Sequence, residues 1–421
     1  MSTSTPPPFP RHFHDSELDN SDVESQASSV EASPVITRPK WYNRGPSRSW
    51  GAIAKIRELR SRSISATSVD VVKRRRWCRY WLIVVAVFIF FGVMTAIVYF
   101  SLVGALIHRL NPPEGTSGLH HIVSTWKEPD ENGAFDFKWR DDFSRDIVPK
   151  NCHSHNDYWR SVPLYEALAA GCVGIEADIW LTDDRNELLV SHSWSSAKED
   201  RTLRSLYLDP LSRIFSTRNV STASTEEKEV GLFDADPNVS VILLIDFKND
   251  GHAIWPKLLE QLAPLREREW LTYFDGENVI QGPLTIVGTG NTPFDLVQQN
   301  STNRFIFFDA PLPDISNPIY NTTNSYYASV QMNKAIGHIM FNKLKESQVE
   351  TIKSQIKAAE EKGLKSRYWD TPGWPISLRD RVWFLLSENG VGMLNVDDLV
   401  SATRWNWNWC VVAGLNLCGN S

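Results

Sequence analysis

Short apolar runs alternate with amphipathic segments after residue 145, and this alternation restricts the fold of the chain more than any other feature. Eight runs have the length and composition of buried strands, and segments with helical periodicity separate several of them. Strands buried on both faces and joined by helices are typical of parallel sheets. Over roughly 250 residues the pattern predicts an α/β protein built around a parallel barrel. The predicted strands are Ile147–Asn151, Val173–Ile179, Val241–Phe247, Leu284–Gly288, Phe305–Phe308, Tyr327–Val330, Arg367–Asp370 and Val391–Val396, and the predicted helices are Pro163–Ala170, Ala253–Leu265, Lys343–Lys362 and Leu378–Asn389.

Six chemically active side chains lie at or just after the ends of three strand-like runs. They are His155, Glu176, Asp178, His192, Asp246 and Lys248. The C-terminal ends of the strands of a parallel barrel meet at one face, so these side chains are expected to share a site. Glu176 and Asp178 are two residues apart on one strand and therefore point to the same side of it. Both carboxylates can then reach one ion.

This combination of groups fits the chemistry of a phosphodiester. A hard divalent cation held by carboxylate oxygens neutralises the anionic phosphate and orients it. One imidazole can take a proton from the attacking hydroxyl or water, while the other gives a proton to the leaving oxygen. A lysine nearby places a positive charge on the phosphate. The set therefore predicts a metal-dependent phosphodiesterase site, with Mg²⁺ as the expected ion and Ca²⁺ as the alternative.

Four segments around these residues resemble the motifs of a known group of enzymes: Asn151–Tyr158, Gly174–Asp184, Leu188–His192 and Leu244–Lys248. They are similar to the glycerophosphodiester phosphodiesterase and phospholipase-D-toxin branch of the phospholipase-C-like phosphodiesterases. Within that group the chain resembles the fungal altered inheritance of mitochondria protein 6 family over roughly residues 145–400. The resemblance implies a (β/α)8 barrel of the triosephosphate isomerase (TIM) type.

The resemblance also implies a role for each of the six residues. The implied metal ligands are Glu176, Asp178 and Asp246, and the implied catalytic residues are His155, His192 and Lys248. Two positions depart from the pattern of the group. Where the phosphodiesterases carry His-Arg-Gly, this chain has His155-Asn-Asp157, and the missing Arg weakens the case for a glycerophosphodiester substrate. Asp246 replaces the usual Glu and is more similar to the toxin branch.

Five further residues near the strand ends are each open to more than one interpretation. His153 lies on the same side of its strand as His155 and is either a structural residue or a second histidine of the site. Asp157 and Asp184 fit turns better than a supporting role beside the metal ligands. Asp309 ends the fifth predicted strand, where a hydrogen bond to substrate is one use for it. Trp374 lies in the turn after the seventh strand and is predicted to bind substrate in a lipid or choline-like pocket.

The uncharged apolar run Tyr80–Ile107 is longer than the ~20 residues that a helix needs to span a bilayer. Basic residues are concentrated just before it, at positions 73–79, so the positive-inside rule places the N-terminus in the cytosol. The chain is thus predicted to be a single-pass type II membrane protein of the endomembrane system or cell surface, with a lumenal or extracellular barrel. Residues 1–72 are rich in Ser, Pro and charge and are predicted to form a disordered cytosolic tail. A buried core helix is the alternative to a span, but no amphipathic period interrupts the run.

Several features beyond the apolar run fit a secretory, oxidising compartment. The glycosylation sequons of this part begin at Asn219, Asn238, Asn300 and Asn321. Its cysteines number four, and the pairs Cys152–Cys172 and Cys410–Cys418 are one of the three connectivities that four cysteines allow. Buried thiols are the alternative.

Two segments lack a clear strand or helix pattern. Ser212–Asn238 has neither periodicity and is predicted to be an exposed loop. Residues 401–421 form a tail containing Trp and Cys, in which tryptophans alternate with polar residues from Trp405 to Trp409. Such a tail fits a membrane interface and packing against the barrel equally well.

The predicted function is hydrolysis or cyclisation of a phosphoric diester, with a phospholipid, lysophospholipid or glycerophosphodiester as substrate. A net charge of −6 and a sequence pI near 6.0 do not favour nucleic-acid binding, and nothing in the sequence predicts a protein partner. The alternative function is that of a membrane-tethered barrel that binds a lipid or glycan with little catalytic activity. The missing His-Arg-Gly motif favours this alternative, whereas the retained histidines and acids argue against it.

Overall fold

The computed structural model of the chain describes residues 53–110, 115–127, 139–220, 231–404, 411–412 and 415–416. The first part of the predicted disordered tail, the tryptophans at 405–409 and the predicted pair Cys410–Cys418 lie outside the described residues. The described chain divides into two compact units, residues 1–98 and 99–421.

The first unit contains most of one long helix, α1, which runs over Ile53–Leu110. Its segment Val71–Leu106 is long and apolar enough to cross a membrane, and none of that segment is buried within the protein. The predicted span Tyr80–Ile107 lies almost entirely within this segment. Residues 53–72 were expected to belong to the disordered tail, but the structure places them in α1. They contain no Pro or Gly, so nothing in the backbone stops the helix from extending toward the N-terminus.

The second unit is a closed barrel of eight parallel strands with helices around it, which confirms the predicted α/β TIM-type fold. Each strand pairs with its neighbours in chain order, and pairing of the first strand with both the second and the last closes the sheet. The strands are β1 Lys150–Ser154, β2 Cys172–Leu181, β3 Val241–Phe247, β4 Leu284–Gly290, β5 Ile306–Pro311, β6 Ser325–Gln331, β7 Lys365–Trp369 and β8 Met393–Val396.

Helices connect the strands and cover the outside of the barrel. In chain order they are α2 Gly118–Thr125, α3 Tyr165–Ala170, α4 Asp209–Arg218, α5 Gly251–Glu267, α6 Phe294–Gln299, α7 Met332–Ile336, α8 Glu346–Glu361, α9 Ile376–Glu388 and α10 Leu399–Arg404. Shorter elements are the 3₁₀ turns Asp157–Trp159, Trp194–Ser196 and Leu312–Asp314, the π-helical turn Arg204–Leu208, the strand Leu188–Val190 antiparallel to β2, and the two-residue strand pairs Tyr273–Phe274 with Val279–Ile280 and Val411–Val412 with Leu415–Asn416.

The prediction that Ser212–Asn238 is an exposed loop is wrong at its start, where the structure has α4, and at Leu232 and Phe233, which are buried. Leu211, Ile214 and Phe215 are spaced three and four residues apart and are all buried, so α4 packs one apolar face on the barrel. The other residues of this short helix are mostly polar or charged, so the sequence shows no clear helical period. Strand β1 also begins and ends three residues later than predicted.

The barrel interior and its helices share one hydrophobic core. Every residue of β3 except Asp246 is buried, as expected of a strand covered on both faces. The core begins before residue 145, because Leu119 and Ile122 of α2 are buried in it. A disulfide joins Cys152 of β1 to Cys172 at the start of β2, which confirms one predicted pair. Cys78 is a free, exposed cysteine.

Candidate active site

Three carboxylates predicted as metal ligands come together at the C-terminal end of the barrel. Glu176 and Asp178 lie on β2, and Asp246 lies on β3 as the direct register partner of Asp178. One ligand oxygen from each lies within 4.8 Å of the others. Glu176 and Asp178 are buried, and Asp246 is half-buried. The barrel register therefore gathers the three acids as the sequence predicted.

Lys248 and Tyr158 hold two of these carboxylates. The Lys248 ammonium lies 2.8 Å from Asp178 Oδ2 and 2.8 Å from Asp246 Oδ2. The Tyr158 hydroxyl lies 2.8 Å from the same Asp178 oxygen and 2.7 Å from Asn156 Oδ1. Lys248 is fixed in turn by its backbone N–H, which donates to the carbonyl of Ile179 on β2.

In each carboxylate one oxygen accepts the hydrogen bonds, and this arrangement leaves the other oxygen for a metal ion. The donors found among the described residues use Oε2 of Glu176 and the Oδ2 atoms of Asp178 and Asp246. Asp178 Oδ1 is buried and has no hydrogen-bond partner in the part of the chain that the structure describes. A buried carboxylate oxygen without a partner is costly, and a hard cation satisfies it. The donor set of three carboxylates is the kind that binds Mg²⁺ or Ca²⁺.

The pKa values of these acids show that their negative charge is only partly compensated. Burial, together with the charges of Asp246 and Glu176, raises the pKa of Asp178 to about 7. Burial also raises the pKa of Asp246, against the lowering effect of Lys248. Burial alone lowers the pKa of Lys248, but Asp246 and Asp178 outweigh it and raise that pKa above its ordinary value. The one ammonium stays charged, and a bound cation would supply the missing positive charge.

Arg367 and His153 position Glu176 from inside the barrel. The Arg367 guanidinium, on β7, donates to Glu176 Oε2 at 2.9 Å and to Asn395 Oδ1 at 3.0 Å. Burial raises the pKa of Glu176, but Arg367 outweighs it and keeps that pKa well below its usual range. His153 Nε2 lies 3.4 Å from Glu176 Oε2, and burial and Arg367 lower the pKa of His153 to about 4. His153 is therefore neutral near pH 7 and supports the Glu176 carboxylate.

His155 follows β1 and reaches the rim of the site. Its Nδ1 atom lies 2.8 Å from Asp397 Oδ1, just after β8. Burial lowers the pKa of His155, but Glu176 and Asp397 outweigh it, so the pKa is raised from its ordinary value. Asp397 favours a proton on Nδ1, which leaves Nε2 to accept one. The backbone N–H of His155 donates to the carbonyl of Val396 and fixes the turn.

His192 is brought to the same side of the barrel by the short strand that pairs with β2. The N–H of Ser191 donates to the carbonyl of Asp178 at 3.1 Å, which anchors the following residue beside the carboxylates. The rings of His192 and Trp159 lie 5.3 Å apart between centroids. Both predicted histidines thus lie at the C-terminal face, on segments next to Glu176 and Asp178.

Gly290, at the end of β4, leaves the space that Asp246 occupies. An added Cβ would lie 1.9 Å from Asp246 Oδ1 and 2.9 Å from the carbonyl oxygen of Phe247. The backbone at Gly290 also has a φ of +63°, in the left-handed region that side chains disfavour. Only glycine fits beside this carboxylate.

The structure distinguishes among the remaining residues near the strand ends. Asp157 is buried and accepts hydrogen bonds from Ser154, the backbone of Leu164 and Tyr207, so it holds the loop after β1. Asp184 caps a turn through Thr182 and Asn186, as predicted. Asp309 is buried, 3.8 Å from Arg367. Trp374 is 78 % exposed, and its role in substrate binding stays a prediction.

Three residues of this arrangement were not singled out by sequence reasoning: Tyr158, Arg367 and Asp397. Arg367 is the clearest case, because its partner Glu176 lies 191 residues away in the chain. The available signal was a charged residue inside a predicted barrel strand, which needs a buried partner. Tyr158 belongs to the first recognised motif, but its sequence does not show that it reaches Asp178.

Known proteins match the part of the chain that forms this site. Residues 141–309 match the model of the AIM6-like phosphodiesterase domain. The altered inheritance of mitochondria protein 6 homolog of Arthroderma benhamiae is 40 % identical over 277 residues, which cover 63 % of this chain and 87 % of that protein. The altered inheritance of mitochondria protein 6 of Saccharomyces cerevisiae (strain YJM789) is 32 % identical over 283 residues, which cover 62 % and 72 %. The corresponding protein of Lachancea thermotolerans is 33 % identical over 285 residues, which cover 61 % and 66 %.

Proposed function

The chain belongs to the altered inheritance of mitochondria protein 6 family, and from this premise we propose that its barrel is a metal-dependent phosphoric diester hydrolase. The proposed substrates are phospholipids, lysophospholipids or glycerophosphodiesters. The observation that carries the proposal is the group of Glu176, Asp178 and Asp246 with a buried, unpartnered carboxylate oxygen, next to a lysine and two histidines. The match to a phosphodiesterase domain supports the same reaction class.

The proposed ion is Mg²⁺, with Ca²⁺ as the alternative, held by Glu176, Asp178 and Asp246. When bound, such an ion neutralises and orients the phosphoryl group. Lys248 adds a fixed positive charge beside the developing negative charge of the phosphoryl oxygens. It stays protonated because Asp178 and Asp246 outweigh the effect of burial on its pKa.

Each of the two histidines carries out one proton transfer in the proposed mechanism. In the proposed arrangement His155 holds a proton on Nδ1 through Asp397, so its Nε2 takes the proton of the attacking hydroxyl or water. His192 then gives a proton to the leaving alkoxide. If the nucleophile is water the products are a monoester and an alcohol, and if it is a neighbouring hydroxyl of the substrate the product is a cyclic phosphate. Arg367 and His153 hold Glu176 in place through its Oε2 atom.

We also propose a membrane topology for the chain. The apolar run Tyr80–Ile107, which lies almost entirely within the helical segment Val71–Leu106, is proposed as the anchor of a type II membrane protein. The basic residues before it favour a cytosolic N-terminus, which puts the barrel on the lumenal or extracellular side. The Cys152–Cys172 disulfide supports this side, because disulfides persist in oxidising compartments.

A barrel that binds lipid without turnover is the second candidate. The sequence His155-Asn-Asp157, where the related phosphodiesterases carry His-Arg-Gly, favours it. A binding site has no use for the Asp397-oriented imidazole at 2.8 Å, which supports catalysis instead.

Phosphorus NMR tests the reaction class. The full chain in maltoside micelles, which contain no phosphorus, is incubated with Mg²⁺ and a mixture of lysophospholipids, sphingomyelin and glycerophosphodiesters. A new monoester or cyclic-phosphate signal is expected from the wild type and not from Asp178→Asn. The matched control is His252→Ala, an exposed histidine that pairs with Asp295 and is not part of the carboxylate group, and it should keep full turnover. Absence of any new signal from folded, Mg²⁺-loaded protein would favour the binding candidate.

A further inference from the structure

Exposed aromatic side chains are confined to one end of the described barrel. Trp159, Trp194, Phe341 and Trp374 are all exposed, and each lies in a segment that follows a strand. These segments meet at the C-terminal face, where the carboxylates also lie. The exposed large apolar residues that precede strands, Val148 and the pair 279–280, are aliphatic. Such a one-sided distribution marks an interaction surface.

The most prominent of these side chains stands at the tip of a preformed hairpin after β6. Met340 and Lys343 pair across a two-residue turn, with the N–H of Lys343 donating to the carbonyl of Met340. The turn residues Phe341 and Asn342 have φ angles of +52° and +55°, in the left-handed region. A bulky aromatic residue is rare there. Phe341 is nevertheless 92 % exposed, so no packing inside the protein compensates for this backbone.

The hairpin is held to neighbouring parts of the barrel. Arg381 of α9 donates to the carbonyl of Asn342 at 2.8 Å, and Gln348 of α8 donates to the carbonyls of Ile336 and His338. The same helix α9 begins at Ile376, two residues after the exposed Trp374. The tip after β6 and the turn after β7 are thus both joined to α9, and we define the apolar rim as Met340, Phe341, Trp374 and Ile376.

We propose that this apolar rim inserts into the interfacial region of a lipid bilayer. An exposed aromatic residue at the tip of a protruding turn suits insertion between lipids, whereas a protein partner needs a broad and complementary patch. The charge at the tip fits as well: residues 337–345 hold two lysines and no acidic residue. Lysines beside an apolar tip keep their stems in the apolar layer and their ammonium groups at the level of the lipid phosphates.

Insertion of the rim would turn the carboxylate site toward the bilayer. The rim and the three acids occupy the same end of the barrel, so contact through the rim turns the site toward the headgroups. Contact with the bilayer is separate from the proposed catalysis, because it can be measured without turnover.

Spin labelling of the full chain in vesicles tests the proposal. A nitroxide is attached at His338→Cys, beside the rim, or at Val148→Cys before β1, both in a Cys78→Ser background, and the signal of the background alone is subtracted. The vesicles contain phosphatidylcholine and phosphatidylserine, and a water-soluble nickel complex is present on both sides. The label at 338 is expected to be shielded from the nickel complex and accessible to oxygen, while the label at 148 stays accessible to nickel.

A variant of the rim distinguishes insertion into the bilayer from mere proximity to its surface. In Phe341→Ser with Trp374→Ser, the label at 338 should become as accessible to nickel as the label at 148. Both side chains are exposed, so circular dichroism should show an unchanged fold. Equal nickel accessibility at 338 and 148 in the wild type would overturn the proposal and leave the rim for a protein partner. Shielding that persists in the double variant would overturn it too.

Discussion

Gly290→Ala should weaken Mg²⁺ binding, because the new methyl group occupies the place of an Asp246 oxygen. The Cβ would lie 1.9 Å from Asp246 Oδ1, whereas real Cβ contacts are almost never under 3.0 Å, so the carboxylate must retreat by at least about 1.1 Å. Metal–oxygen distances tolerate shifts of only ~0.2 Å. Loss of one of three carboxylate ligands should therefore weaken affinity on the order of 100-fold.

The effect can be read from stability, and the chain offers a matched control. At a Mg²⁺ concentration of about 100 times the wild-type Kd, binding adds about 2.7 kcal/mol to the free energy of unfolding, and after a 100-fold loss of affinity it adds only about 0.4 kcal/mol. Gly390 also has a positive φ, +75°, but an added Cβ there meets open space. Without metal, Gly390→Ala should lose about 1–2 kcal/mol, because alanine is strained in the left-handed region, and Gly290→Ala should lose more, because it also displaces Asp246.

The assay is urea unfolding of each variant with and without Mg²⁺. Gly390→Ala should keep the full Mg²⁺-induced gain in stability, and Gly290→Ala should lose most of it. The reasoning fails if Gly290→Ala keeps the gain, or if both variants lose it equally.

Three further predictions concern stability. Burial raises the pKa of Asp157 to about 6, so the unfolded chain releases this proton at a lower pH than the folded chain does. The free energy of unfolding should therefore fall by up to about 3 kcal/mol between about pH 4 and 6. Urea titrations of Asp157→Asn should lack this pH-dependent fall. Phe341→Asn should raise the free energy of unfolding by about 1 kcal/mol in urea, because Asn tolerates the left-handed backbone; a loss of stability would show that the Phe341 side chain packs in solution. Replacing Cys152 and Cys172 by Ser removes a disulfide that joins residues 20 positions apart and should lower the free energy of unfolding by about 3 kcal/mol in thermal or urea melts. An unchanged midpoint would contradict this prediction.

The fold and the three carboxylates follow from local sequence patterns. Strands β2 and β3 begin as apolar runs and carry their acids toward the C-terminal end, and a parallel barrel brings these ends together at one face. The relation of Asp178 to Asp246 therefore depends only on recognising two strands. Exact strand bounds depend on tertiary pairing, which is why β1 begins at Lys150 rather than Ile147.

The support of the site depends on contacts that no local pattern encodes. Arg367 meets Glu176 across the barrel, and Asp397 meets His155 from the turn after β8. The position of Arg367 inside a predicted strand indicates a buried partner but not which one, and Asp397 has the sequence context of an ordinary turn residue. The hairpin tip at Phe341 was missed for another reason, since a helix was predicted to start at Lys343 and left no distinct loop before it.

Turnover and Mg²⁺ binding by His155→Ala, measured on the same sample, test the central claim most directly. The claim is that His155 moves a proton while the carboxylates hold the ion. Phosphorus NMR of this variant should show turnover abolished, and calorimetry should show Mg²⁺ binding close to that of the wild type and of the control His252→Ala. Unchanged turnover in His155→Ala would contradict the proposed role of the histidine.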